Sequence, residues 1–168
     1  MENYLLILQD SLVKKLRVLE QIEECNKRQE EVLTQTPVSL EVFDVITDEK
    51  GELIVQMQKL DNGFEQLFER VKTQLEADKD TYRMEIASLQ ELVRQITDKS
   101  ITLQAQEARN KALVEKFFSK EKSSLRQGRL GSQAAMSYYA SMSRMSINDP
   151  RVIDEKNENL LEKISKYP

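Results

Sequence analysis

Apolar residues that recur in steps of three and four run through the first 126 residues, and this spacing constrains the fold most. It matches one face of an α-helix, whereas a half-buried strand would alternate with a period of two. The first stripe is interrupted by Asn26 and Gln29 and ends at Thr36–Pro37, because the residue before proline disfavours helical geometry. Its apolar members are Leu5, Leu8, Leu12, Leu16, Leu19, Ile22, Val32 and Leu33.

The second segment, which follows a suitable N-cap at Ser39, carries the most regular stripe. Lys50 is the polar member of one heptad frame that otherwise holds Phe43, Ile46, Leu53, Met57, Leu60, Phe64, Leu67 and Val71. Three further residues, Ile54, Phe68 and Leu75, widen this stripe beyond a two-stranded seam. We therefore predict an all-α fold, an elongated antiparallel three-helix bundle or coiled coil.

Two glycines lie inside the second stripe, and each should weaken a helix by about 1 kcal/mol relative to alanine. We expect the helix to continue through Gly63, with a short break as the alternative to continuity within residues 47–51, which include Gly51. Either glycine is a tolerated weakness or marks a kink or a close approach between helices.

The third segment is predicted to be helical from about Lys79 to Arg126, with Glu107 and Asn110 on its expected core line. Because this helix is longer than its partners, its C-terminal part should project beyond the bundle or pack on something else. Two glycines follow within residues 127–131. We predict a helical bundle over 1–127 and a short helical or flexible partner-binding tail over 128–168.

The composition argues against several classes of function. With no histidine and a single cysteine, Cys25, the chain lacks the usual general base, zinc ligands and internal disulfide. We expect no enzyme activity, no metal and no cofactor, and we interpret Cys25 as an inert thiol. No apolar stretch approaches the roughly 20 residues of a membrane span, so we expect a cytoplasmic protein without stable membrane insertion. A net charge of −4 argues against nucleic-acid binding.

A group of aromatic and flexible apolar residues is the candidate protein-binding site. Tyrosine and methionine give large or adaptable contact area, and the tail alone can bury little apolar surface. The candidate residues for contact with a partner protein are Phe117, Phe118, Leu125, Tyr138, Tyr139, Met142 and Met145. The alternative is that the tail folds back and buries them. The basic residues within 109–130 form either a solvated helix end or a site for an anionic partner.

Several short stretches carry a family resemblance. The second segment reads SLEVF at 39–43, EKGELI at 49–54 and KLDNGFEQLF at 59–68. The tail reads YYASM at 138–142, NDP at 148–150 and DEK at 154–156. Over roughly 39–156 the sequence resembles the FlgN-type flagellar export chaperones.

This resemblance implies a small cytoplasmic helical bundle. Such proteins hold hook-associated subunits of the hook–filament junction unassembled and deliver them to the type III export gate. Tyr138 or Tyr139 falls where family members carry an aromatic residue used at that gate. The filament-cap protein is the rival client. A structural coiled-coil protein that forms homo-oligomers through the same stripes is the alternative function.

Overall fold

Three α-helices build the protein over residues 1–124, which are the residues that the structure, a computed structural model, describes. Helix α1 spans Glu2–Thr34, α2 spans Leu40–Ala77 and α3 spans Arg83–Ser124. Connections of five residues join them. The predicted all-α three-helix architecture is confirmed, and the predicted boundary between residues 127 and 128 lies outside the described residues.

Helices α1 and α2 run antiparallel. An ion pair of 2.7 Å joins Lys15 to Asp61, and another of 2.6 Å joins Arg28 to Glu49, so the sequence position on α2 falls as that on α1 rises. Of the three helices, α1 is the one that packs closely against both others. It is therefore the central helix of the bundle.

Helices α1 and α3 run parallel, and α3 is the longer. Gln9 donates a hydrogen bond of 2.8 Å to Ser88, and Arg109 lies 3.2 Å from Glu30, so both pairs are separated by 79 residues. Because α1 ends at Thr34, this register leaves the last 11 described residues of α3 beyond it, or about 16 Å of helix. The predicted projection of α3 is thus present within the described chain.

Buried positions on α1 alternate in steps of three and four along its whole length. This row consists of Leu5, Leu8, Leu12, Lys15, Leu19, Ile22, Asn26, Gln29 and Leu33. A second buried row, of Val18, Cys25 and Val32, repeats every seven residues beside the first. Two rows are needed because α1 faces two helices. Leu16, which the sequence stripe included, is only partly buried.

Helix α2 begins as predicted. The Ser39 hydroxyl accepts a hydrogen bond of 3.4 Å from the backbone N–H of Val42, which caps the first turn. The short break that the sequence left open within 47–51 is absent, because α2 is continuous there, as it is through Gly63. A Cβ built on Gly51 or Gly63 would meet no atom within 4 Å, so neither glycine permits a close helix approach. Both are tolerated weaknesses.

The buried row of α2 departs from the single heptad frame that the sequence suggested. Two successive steps of four, from Ile46 to Lys50 and from Lys50 to Ile54, shift the frame by one position. Beyond the shift, the buried row consists of Ile54, Met57, Asp61, Phe64, Phe68, Val71 and Leu75. Leu53, Leu60 and Leu67, which were expected to form the seam, are half-buried at its edge.

The apolar core is divided into two clusters. The main cluster fills the bundle from the N-termini of α1 and α3 to Leu103 and includes Leu8, Leu19, Phe64 and Ile96. The end cluster lies at the distal end, where α1 ends and α2 begins. Its buried residues are Cys25, Val32, Leu33, Phe43, Ile46 and Val114.

Replacing Gly63 with alanine should stabilise the protein. The position is exposed, helical and open, so the added methyl group meets nothing while the unfolded chain loses freedom. We expect the free energy of unfolding in urea to rise by about 0.5–1 kcal/mol. An unchanged or lower value would contradict this assignment, and Gly51→Ala, at a half-buried position, should act in the same direction.

The Lys15–Asp61 pair should show strong coupling, because both residues are almost fully buried, at 2% and 4% exposure. Asp61→Leu alone leaves an uncompensated buried ammonium group and should cost about 3–5 kcal/mol of unfolding free energy. The double variant Lys15→Met with Asp61→Leu should recover most or all of that loss. Urea unfolding of both variants checks this, and additive losses would refute it.

Candidate protein-binding site at the distal end

The end cluster forms the floor of the candidate site. Five of its six buried side chains come from α1 and α2, and Val114 comes from α3. Half-buried Val38, Leu53, Leu113 and Phe118 pack against its margins. The distal end is therefore an α1–α2 hairpin over which α3 lies.

Two of the predicted site residues lie in the described part of this end. The ring centroids of Phe117 and Phe118 are 5.9 Å apart, at an interplanar angle of 66°, and both side chains are half-buried. Phe118 packs against the end cluster. The remaining predicted site residues lie outside the described residues, so their roles stay predictions: Leu125, Tyr138, Tyr139, Met142 and Met145.

A layer of polar side chains lies between the two apolar clusters. This polar layer consists of Asn26, Gln29, Thr47, Lys50, Gln106, Glu107 and Asn110. Gln29 donates a hydrogen bond of 3.0 Å to the Thr47 hydroxyl, and Lys50 forms a close ion pair with Glu107. Half-buried Leu53 contacts both apolar clusters at the edge of the layer.

Asparagine side chains leave the polar layer incompletely satisfied. The amide of Asn26 donates to the side-chain oxygen of Gln106 over 3.1 Å, and the amide of Asn110 donates to the Asn26 backbone carbonyl over 2.9 Å. Within the described part of the chain, the Oδ1 atoms of both asparagines are buried without a hydrogen-bond partner. Each such acceptor loses its hydration without compensation, which typically costs about 1–3 kcal/mol.

Sequence reasoning located this layer only in part. Asn26, Gln29, Lys50, Glu107 and Asn110 were recognised as polar positions on the core lines. The buried residues that it missed are Lys15, Asp61, Ser100 and Gln106. The signal was present for Lys15 and Ser100, because both fall on rows with steps of three and four.

Charged residues flank the distal end on its outer side. Cys25 lies in an open groove between α1 and α2 with Glu24, Arg28 and Glu49 on its walls. Burial raises the pKa of the Cys25 thiol, and the hydrogen bond from Arg28 lowers the pKa of Glu49. A thiol held protonated is a poor nucleophile, which fits the interpretation of Cys25 as inert.

The described residues offer no group of three or more metal-ligating side chains close enough to hold an ion. Among the described helices, none is both long and apolar enough to cross a membrane. The contacts present are helix packing, side-chain hydrogen bonds and ion pairs.

Comparison with protein families decides the identity, since the FlgN protein family matches residues 1–141. The chain belongs to the FlgN family. Comparisons with curated proteins and with solved structures gave no match. The family is one of flagellar export chaperones, which bind flagellar subunits, and the resemblance found in the sequence is thereby confirmed.

The family match differs in extent from the resemblance seen in the sequence. It begins at residue 1 and therefore includes α1, whereas the sequence motifs began at Ser39. It ends at residue 141, so Phe117 and the Tyr138–Tyr139 pair lie within it. The match therefore includes the central helix as well as the second segment and the first part of the tail.

Acidification should weaken the α1–α3 contact at Glu23. A hydrogen bond of 2.6 Å from Lys99 is the main reason why the pKa of Glu23 lies below its ordinary value of 4.5. A carboxyl group with a lowered folded-state pKa stabilises the fold above that ordinary value, and this contribution disappears as the pH falls through the folded-state pKa.

We therefore expect the unfolding free energy of the Lys99→Met variant to fall less on acidification than that of the wild type. The difference in unfolding free energy between wild type and variant should be largest near neutral pH and shrink below about pH 4.5. Urea unfolding at a series of pH values measures it. A difference that stays constant down to pH 3 would show that Lys99 does not act through Glu23.

Proposed function

We propose that the protein is a cytoplasmic export chaperone that binds hook-associated flagellar subunits, keeps them unassembled and delivers them to the type III export gate. It acts by binding and catalyses no reaction. Membership of the FlgN family over residues 1–141 is the observation that carries this proposal. The family supports a flagellar subunit as client, and the hook-associated class is the finer part of the proposal.

The distal end has the properties that a client site requires. α3 runs past α1 and carries Phe117 and Phe118 side by side, only half-buried. Aromatic side chains provide much contact area for little loss of conformational entropy. An apolar client helix that packs at the distal end can contact both rings, as helices do in groove-type recognition.

A structural homo-oligomer is the second candidate function. Its support comes from the N-terminal turns of α1, where Leu6 and Ile7 are 63% and 53% exposed, and from Val45 on α2 at 57%. Large exposed side chains of this kind occur at contacts between copies of a chain. This candidate differs from the first in needing no other protein.

Pull-down of purified flagellar subunits separates these functions. The immobilised protein should retain hook-associated subunits in preference to the filament-cap protein and to filament subunits. Retention of the cap protein alone would reassign the client. If no subunit is retained and light scattering shows a stable oligomer, the structural alternative is correct.

Phe117→Ala combined with Tyr139→Ala should weaken client binding by about tenfold, because buried aromatic anchors carry much of the energy of an interface. Circular dichroism should stay near the wild-type signal, since Phe117 is not needed to close the core. Ile101→Ala, at a 56% exposed position on the same helix, is the matched control and should bind normally. A joint loss of helicity and binding would assign the two aromatic residues to the core.

A further inference from the structure

We infer that the distal segment of α3, residues 106–120, is a displaceable part of the bundle. It separates from the α1–α2 hairpin at the polar layer, and an apolar helix of the client takes its place on the end cluster. This inference rests on the proposed function for the identity of the incoming helix. The separation itself is a property of the chain alone.

Apolar burial along α3 is unequal. Before the polar layer, α3 buries five apolar side chains, namely Ile86, Leu89, Val93, Ile96 and Leu103. Among the described residues of the distal segment, Val114 is the only apolar side chain buried to the same degree, with Leu113 and Phe118 half-buried. Because local stability follows buried apolar contact, the distal segment should open at lower free energy than the rest of α3.

The polar layer lowers the free energy needed to separate α3 from the α1–α2 hairpin, and it does so at one position along the helix. Asn26 and Asn110 are 1% and 3% exposed, and each has a side-chain oxygen that lacks a partner. When α3 separates, water reaches both oxygens, so their hydration offsets part of the contact that is lost. An apolar layer at the same level would gain nothing from opening.

Three hydrogen bonds of the Gln106 and Asn110 side chains link the distal segment to α1, and two ion pairs also cross between helices. Glu107 pairs with Lys50, and Arg109 pairs with Glu30 across an exposed edge where the Arg109 side chain is 56% accessible. Water solvates all four charged groups after separation. The exposed Arg109–Glu30 pair adds little to stability, and the hydration that Lys50 and Glu107 regain, at 4% and 13% side-chain exposure while paired, offsets part of the attraction that is lost. These contacts therefore orient the distal segment without holding it firmly.

The hairpin that remains is shaped for a helix. Five buried side chains of the end cluster, Cys25, Val32, Leu33, Phe43 and Ile46, belong to α1 and α2, and separation of the segment that carries Val114 and Phe118 uncovers the side of this cluster that faces α3. This hairpin surface is already covered by a helix, the distal segment of α3. A client helix with apolar residues in steps of three and four can therefore take the place of that segment. Separation also frees Lys50 from Glu107, so a client helix with an acidic residue at that level is favoured.

Amide hydrogen exchange on the full-length protein without client tests the separation directly. We expect amides at 107–114 to exchange about tenfold or more faster than those at 89–103, because they open locally rather than by global unfolding. Equal exchange in the two parts of α3 would overturn the inference. Residues 115–120 are left out of this comparison, since fraying could accelerate them.

Asn26→Leu with Asn110→Leu removes both unpartnered oxygens with side chains of similar shape. Exchange at 107–114 should slow by about tenfold or more, and client affinity should fall by a similar factor, because the closed state is favoured. Lys15→Met with Asp61→Leu is the matched control, since it replaces a buried polar pair within the main cluster. It should leave both distal exchange and client affinity unchanged.

The hydrogen-exchange and client-binding measurements together distinguish failure of the inference from failure of the proposed function. If the asparagine variant binds client as wild type does although its distal exchange is slowed, displacement is refuted and the chaperone function stands. If its distal exchange is not slowed, the polar layer does not control opening, which also refutes the inference. If wild type retains no flagellar subunit in the pull-down, the proposed function fails and client displacement fails with it.

Discussion

Burial of α1 against two neighbours at once is the constraint on which the bundle depends. A helix in this position needs apolar or paired side chains on two adjacent rows, and α1 provides them from Leu5 to Leu33. α2 and α3 approach each other less closely and are held largely through their common partner. The family match, which begins at residue 1, includes this central helix.

Buried polar side chains between the helices divide the apolar core into a large main cluster and a small end cluster. The main cluster is long and apolar, with one buried ion pair inside it. Above it, the polar layer separates a small end cluster to which α3 contributes little. The arrangement combines a long apolar scaffold with an end where, among the described residues, α3 contributes a single buried apolar side chain, and local stability follows such buried contact.

Much of this architecture could be predicted, because helix periodicity, the Ser39 cap and the stop at Pro37 are local signals. The frame shift after Lys50 was missed, since Leu53 and Ile54 are both apolar and only packing decides which is buried. Lys15 and Asp61 were missed because their pairing depends on two distant segments. Of the candidate site, the positions of Phe117 and Phe118 on α3 followed from periodicity, whereas their partial burial depends on how far α3 overhangs its neighbours.

The buried ion pair has a consequence for how α1 and α2 align. Heptad seams are nearly self-similar, so the two helices could slide past each other by seven residues and still meet apolar side chains along most of their length. In either slipped alignment Lys15 would face Ile54 or Phe68 in place of Asp61. A bare ammonium group against hydrocarbon is heavily penalised. The Lys15–Asp61 pair thus favours the observed alignment of α1 and α2 over the two slipped ones.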